Sequence, residues 1–202
     1  MLLKTFMREG LMPLPVMFIS TMSRKGTRNI APWSCVMPVL RPLDLICAAS
    51  AKKRDTLRNI RETGQFVINL AGANMVDKVI PTGRQSSPDT DEFVEAGLEE
   101  KPSVSVEPPG IAGCYAWMEC ERIREYEEDK FVLILGRVLR LEADDRVLKA
   151  DGSLNIEKAM PLMMTGSRKG IHFSTMKDLV HYEPFSAMFP NGKDPLGSLY
   201  EK

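Results

Sequence analysis

The hydrophobic period of this chain is that of strands almost everywhere, and it turns clearly helical only once. Short, apolar, β-rich runs occupy 16–21 (VMFIST) and 43–50 (LDLICAAS). Longer alternating runs occupy 116–126 (AWMECERIREY) and 131–143 (FVLILGRVLRLEA), around the acidic turn EEDK. Residues 30–39 (IAPWSCVMPV) are extended too, but Pro32 and Pro38 each lack an N–H, which places that strand at an edge or interrupts it. The polar segment 22–29, with Gly26, reads as the hairpin connection before it. The helical change is DTLRNIRETG at 55–64. Leu57 and Ile60 share one face, Asp55 or Thr56 can cap the start, and Gly64 suits the end. FVINL (66–70) returns to a strand. A short helix at 75–80 is stopped by Pro81, a helical turn covers 91–98, and 144–160 reads as loop plus short helix.

Only 43–50, 55–64 and 66–70 form a unit resembling a strand–helix–strand crossover. Regular alternation and a G-x-G-x-x-G turn are both missing from the sequence, which argues against a dinucleotide-binding doubly wound sheet. Six or more mostly antiparallel strands with a few short helices instead predict a mainly β (α+β) fold, a β-barrel with helices at its ends. A length of 202 residues fits a single domain over 1–202 with its own core. About 182–202 forms a Pro-containing C-terminal tail that wraps rather than packs.

Charge and cysteine content narrow the function classes. Lys+Arg and Asp+Glu both number 27, so a nucleic-acid or anionic-membrane binder is not expected. No uncharged apolar run reaches the length of a membrane span, and Lys4, Arg8, Glu9 and two prolines interrupt any signal-peptide core. The four cysteines form no C-x-x-C pair and only two histidines exist, so no metal site is expected. Cysteine density is too low for a disulfide scaffold, which suggests a reducing, cytoplasmic setting.

Two segments carry chemistry. Ser50-Ala51-Lys52-Lys53-Arg54-Asp55-Thr56 runs from the end of a strand into a helix. Free N–H groups at a helix start, three cations and two hydroxyls make a phosphate site; the alternative is a solvated basic turn. Asn29-Ile30-Ala31-Pro32-Trp33-Ser34 combines an amide, small side chains and a hydroxyl. Such a strand lets a flat ligand approach the backbone; the alternative is an ordinary edge strand.

These pieces, in this order, resemble the flavin reductase-like family of FMN-binding split-barrel proteins, especially its flavoredoxin-type branch. The matching residues are Pro15-Val16, the 29–34 segment, Ser50, Lys52 through Ile60, and Thr63 through Leu70. Asp91-Glu92-Phe93, Gly97-Leu98, Met118-Glu119-Cys120 and Leu135-Gly136-Arg137-Val138 follow. The resemblance spans roughly 13–173. It implies a six-stranded antiparallel Greek-key split barrel, a homodimer, and FMN near the subunit interface. Asn29, Ala31, Pro32 and Ser34 would then lie along the flavin ring, with Trp33 a further cofactor-binding candidate. Ser50, Lys52, Lys53, Arg54 and Thr56 would hold the phosphate, with Asn69 a further candidate and Asp55 a helix cap. The implied function is an NAD(P)H-dependent flavin oxidoreductase moving electrons through FMN. A flavoredoxin-like electron carrier with tightly held FMN and a non-redox FMN-binding module stay open. In such a protein the cofactor supplies the reactivity, which accounts for the lack of an obvious acid, base or nucleophile.

Further residues have two readings each. Arg84 can contact an anionic substrate such as a nicotinamide nucleotide or serve as a solvated loop residue. His172 can face the cofactor or a substrate, or be structural. Trp33 and Trp117 can stack on the ring or pack in the barrel. Cys120 reads as a small core residue on the strand face opposite Glu119. The 13 methionines read as core filler.

Overall fold

The computed structural model describes residues 10–39, 44–167 and 169–199. The first nine residues, Leu43 of the expected third strand, and the last three residues of the tail lie outside that set.

In chain order the strands and helices are β1 (Leu14–Pro15), β2 (Met17–Met22), β3 (Arg28–Trp33), β4 (Val36–Pro38), β5 (Leu45–Ala51), α1 (Asp55–Thr63) and β6 (Gln65–Leu70). Then come α2 (Val76–Gly83), α3 (Glu92–Glu95), β7 (Glu100–Lys101), β8 (Gly110–Ile111), β9 (Ala116–Glu127) and β10 (Phe131–Ala143). α4 (Ile156–Ala159), β11 (Leu162–Ser167) and β12 (Gly170–Thr175) complete the set.

The main sheet has the order β3-β2-β6-β9-β10-β5-β4, and every neighbouring pair is antiparallel. Six of its strands have six residues or more, and the seventh, β4, has three. β3 and β4 stand at opposite edges of this sheet yet follow one another in the chain, broken only at Ser34-Cys35. The sheet therefore curls until one extended segment pairs with β2 through its first half and with β5 through its second. Ala49 N–H donates to Cys35 C=O at 2.9 Å and continues that second pairing. This is the split barrel.

Local chemistry explains the elements. The hairpin before β3 closes through Gly26 N–H to Ser23 C=O, with Gly26 at φ +85°, a left-handed turn that a side chain would strain. α1 ends at Gly64, φ +76°, whose N–H returns to Ile60 C=O. Its expected N-terminal cap is absent. Arg54 holds the cap position without a side-chain bond, Asp55 is already helical and pairs with Arg58, and Thr56 donates to Asn29. Pro81 does not stop α2, which runs on to Gly83; Thr82 Oγ1 reaches back to Lys78 C=O at 2.7 Å. The hairpin of β11 and β12, which pairs with β1 in a separate three-stranded sheet, has too weak an alternation to stand out in the sequence. Among the described residues, the tail from Met176 contains only isolated 3-10 turns and is mostly exposed.

β2, β6 and β9 are buried on both faces. Inward, Ile19, Phe66, Ile68 and Cys120 pack with Ile46, Val132 and Ile134, and Leu57 and Ile60 of α1 close that core. Outward, Phe18, Val67 and Trp117 pack with Val79 of α2, Phe93 of α3 and Leu162 of β11. Two buried faces are why VMFIST and FVINL read as continuous apolar runs rather than as alternation. Ile123, Tyr126 and Phe131 near the β9–β10 turn, and Leu139 and Leu141 on the later half of β10, are exposed. Among the described residues no helix is long and apolar enough to cross a membrane.

Candidate functional site

A cavity of about 530 Å³ opens between the edge of β3, the β5–α1 junction and the segment that joins α2 to α3. Its volume falls within the range of small-molecule pockets. β3 and its continuation supply Asn29 through Cys35, the end of β5 supplies Ala49, Ser50 and Ala51, and α1 begins at its rim with Lys53, Arg54, Asp55 and Thr56. Thr82 through Ser86, Pro88 and Glu92 form the remaining wall.

Most of the expected site residues therefore meet at one place. Asn29, Ala31, Pro32, Trp33, Ser34, Ser50, Lys53, Arg54, Thr56 and Arg84 all line this cavity. Three others do not. Lys52 turns away and its Nζ lies 3.0 Å from Glu127, which also binds Arg61 at 2.6 Å. These two cations hold the Glu127 carboxyl below its ordinary value, the Lys52 contact contributing most. Asn69 is fully buried in the outer layer. Its Nδ2 donates to Phe18 C=O and Ser20 Oγ, and its Oδ1 accepts Ile111 N–H at 2.8 Å, so all its polar capacity is structural. His172 is exposed on β12 of the separate sheet.

The tryptophans also separate. Trp33 lines the cavity, whereas Trp117 packs in the outer core with its Nε1 donating to Ile111 C=O and Lys101 over its ring. Cys120 is buried and Glu119 faces the opposite side, accepting the Val104 N–H at 3.0 Å.

The α1 end of the cavity is electropositive. Lys53, Arg54 and Arg84 have no carboxylate at ion-pair distance among the described residues. The first N–H groups of α1 lack a side-chain cap, and the positive end of the helix dipole adds to them. Ala31 carries the smallest side chain of the β3 wall. α2 also comes close there: a Cβ at Gly83 would sit 3.3 Å from Pro32.

Sequence reading missed Glu92, the first residue of α3, which is only 8% exposed. Its Oε2 accepts Ile30 N–H at 2.7 Å and the Asn29 side-chain amide. Burial pushes its carboxyl up to about 7, with Asp55 and Glu95 adding to the rise and the Ile30 N–H opposing it. Ile30 is a core residue with its N–H turned away from β2, so nothing local in the sequence announces a carboxylate bound there.

Comparison with known proteins accords with this geometry. The model of the flavin reductase like domain matches residues 7–170. The chain belongs to this family. It is 58% identical over 207 aligned positions to an uncharacterized protein of Methanothermobacter thermautotrophicus, covering 100% of this chain and 98% of that one. Flavoredoxin of Desulfovibrio vulgaris has the same fold, with TM-score 0.80 and 22% identity over 94% of this chain and 100% of that chain. Nitrilotriacetate monooxygenase component B from Bacillus cereus has TM-score 0.78 and 22% identity over 89% and 95%. The split barrel and a flavin-related oxidoreductase role are thus properties of the family, and the cavity is where this chain gathers Lys53, Arg54 and Arg84.

Proposed function

We propose that the cavity binds FMN and that the protein is a flavin oxidoreductase taking electrons from NAD(P)H. The carrying observation is the pairing of two features at one cavity: a β3 wall with the small Ala31, and an uncapped helix start flanked by Lys53 and Arg54, which have no carboxylate partner among the described residues. The residues fit the cofactor. A phosphate dianion matches two free cations and the α1 N–H groups. A flat ring matches the wall from Asn29 to Ser34, with Trp33 beside it.

When bound, FMN supplies the hydride and electron chemistry. The chain's own residues bind and orient. Lys53 and Arg54 neutralise the phosphate, and Ser50 and Thr56 stand beside it. The free edge of β3 faces the ring's polar rim. Arg84, at the end of α2, meets an anionic group of the electron donor. The working unit is a homodimer, supported by the exposed apolar side chains Ile123, Tyr126, Phe131, Leu139 and Leu141 on β9 and β10.

The test is the visible absorption spectrum after FMN is added in excess and removed by desalting, followed by anaerobic NADH and NADPH titration. Retained flavin bands that bleach with either nucleotide support the proposal. Retained flavin that bleaches only with a reduced protein partner replaces the reductase with an electron carrier. Riboflavin bound as tightly as FMN overturns the phosphate assignment. A strictly monomeric, FMN-loaded species by light scattering overturns the homodimer.

A further inference from the structure

We propose that Glu92 is a positioning residue that couples proton uptake to the binding of a phosphate-bearing ligand at the start of α1, acting through the Asn29 amide. This rests on the reading that the cavity takes such a ligand.

Glu92 and Thr56 do not touch. They are joined by Asn29, which is 8% exposed and bonded on both sides. Its Nδ2 donates to Glu92 Oε2, and its Oδ1 accepts from Thr56 Oγ1 at 3.0 Å and Thr21 Oγ1 at 3.1 Å. Asn59 Nδ2 donates into Thr21 Oγ1, which leaves the Thr21 proton for Asn29. The direction of every bond in this buried chain is therefore set by its far end. An ionised carboxylate can only accept, so Asn29 must turn its NH₂ toward Glu92 and its oxygen toward the two threonines. The Thr56 hydroxyl proton is then directed to Asn29 and is withheld from a ligand at the helix start.

A protonated Glu92 has one O–H to donate. It can donate to the Asn29 oxygen once the amide rotates, which turns the Asn29 NH₂ toward Thr56. Thr56 then accepts from Asn29, and its own proton is free for a phosphate oxygen. Proton uptake at one end of the chain thus releases a donor at the other.

The surrounding charges act in the same sense. Asp55 on α1 and Glu95 on α3 face Glu92 and favour its neutral form. Asp91 beside it is neutralised by Arg28, which also holds Glu100. Lys53 and Arg54 before α1 and Arg84 after α2 are the cations of the same cavity. A phosphate seated on those cations adds negative charge and favours protonation of Glu92 further. Its carboxyl, already held near 7 by burial, is poised for this exchange. Proton and ligand must then assist each other equally.

The experiment is calorimetric titration of FMN, riboflavin and inorganic phosphate into the full-length protein and Glu92→Gln, in buffers of different ionisation enthalpy. FMN carries its own second phosphate ionisation near about 6, common to both proteins, so the difference between them isolates Glu92. The wild type should take up a fraction of a proton more than the variant when FMN binds at about pH 8, and its FMN affinity should fall several-fold between about pH 6 and about pH 8. Riboflavin should show little of this. Thr56→Val keeps Glu92 and gives a second reading: its FMN affinity should drop several-fold at about pH 6 and little at about pH 8, because only the protonated chain releases the hydroxyl. Equal proton counts and pH slopes in wild type and Glu92→Gln, with FMN bound, overturn the coupling and leave the flavin site standing. A pH-independent loss in Thr56→Val overturns the relay through Asn29. A wild type that binds neither FMN nor phosphate overturns both this inference and the cofactor reading.

Discussion

Replacing Lys53 and Arg54 together with Ala should separate a phosphate site from a solvated basic turn. Each charge-assisted contact to a bound phosphate is worth about 1.5–3 kcal/mol. Both side chains are exposed, so solvent screening places each near the lower end. The pair then amounts to roughly 3 kcal/mol, or about a hundredfold in FMN dissociation constant. Riboflavin, which lacks the phosphate, should bind the double variant as it binds the wild type. The substitution should not lower Tm, because neither cation has an ion-pair partner among the described residues and Arg54 sits at the positive end of α1. Lys52→Ala is the internal control. It stands next in sequence but is engaged with Glu127, so FMN affinity should barely change. The assay is quenching of flavin fluorescence at low and moderate salt, with the hundredfold loss shrinking as salt rises. Unchanged FMN affinity in the double variant, or an equal loss for riboflavin, would refute the phosphate assignment. A loss in Lys52→Ala matching that in the double variant would refute the geometry that separates the neighbours.

Three further outcomes test the frame around the site. Gly136→Ala places a Cβ 2.6 Å from Phe66 Cζ and 3.1 Å from Ile46 Cδ1 inside the barrel, and should cost about 1–3 kcal/mol by denaturant unfolding; an unchanged midpoint means the register shift opposite Gly136, where β9 carries the extra residue Ile123, absorbs it. Asn69→Ala strands the Ile111 N–H and should cost about 1–3 kcal/mol of stability while leaving FMN affinity intact; the reverse pattern returns Asn69 to the ligand site. Burial raises Glu92 from 4.5 to about 7, so between those values the folded state holds a proton that the unfolded chain has lost. Its contribution is full below about 4.5 and is lost as pH rises through about 7. Glu92→Gln should flatten that fall in stability, and parallel pH profiles for variant and wild type would contradict the burial effect.

What the sequence disclosed, and what it did not, follows from the range of the interactions. The hairpin at Gly26, the helix ending at Gly64 and the paired strands around EEDK are local, set by residues within a few positions of each other. The cation run at 52–54 was visible for the same reason. Which of those cations faces the cavity was not, because the choice is made by Glu127 at the far end of β9. The helix cap failed similarly. Asp55 has the right chemistry for a cap, but Arg58 one turn on competes for it, and Thr56 is drawn to Asn29 across the barrel. Glu92 was hidden more deeply: its partners are at 29 and 30, more than sixty positions away, joined by the folding of α3 against β3. Asn69 looked like a site residue because it ends a strand near the others, but β8 supplies it with a backbone partner that no local pattern foretells.

The free edge of β3 explains why the cavity lies where it does. An exposed strand edge invites another strand, and proteins ordinarily block it. In β3 the residues whose backbone groups turn away from β2 include Ile30, because its N–H goes to Glu92, and by the two-residue period Pro32. Pro32 has no N–H to offer, and the N–H of Ile30 is already taken. The carbonyl oxygens of these two residues remain. At these two positions the edge offers a second strand no donor, which interrupts a ladder, yet their carbonyls still accept hydrogen bonds from a small molecule. The barrel closes by passing this same segment from β2 to β5 at Ser34-Cys35, so the protected edge necessarily borders the point where β5 delivers the cations of α1. Blocking aggregation and shaping a ligand wall are one structural solution here. Restoring a donor with Pro32→Ala keeps the carbonyl wall, so it should increase self-association by light scattering with flavin affinity retained; an unchanged oligomeric state would refute the blocking role.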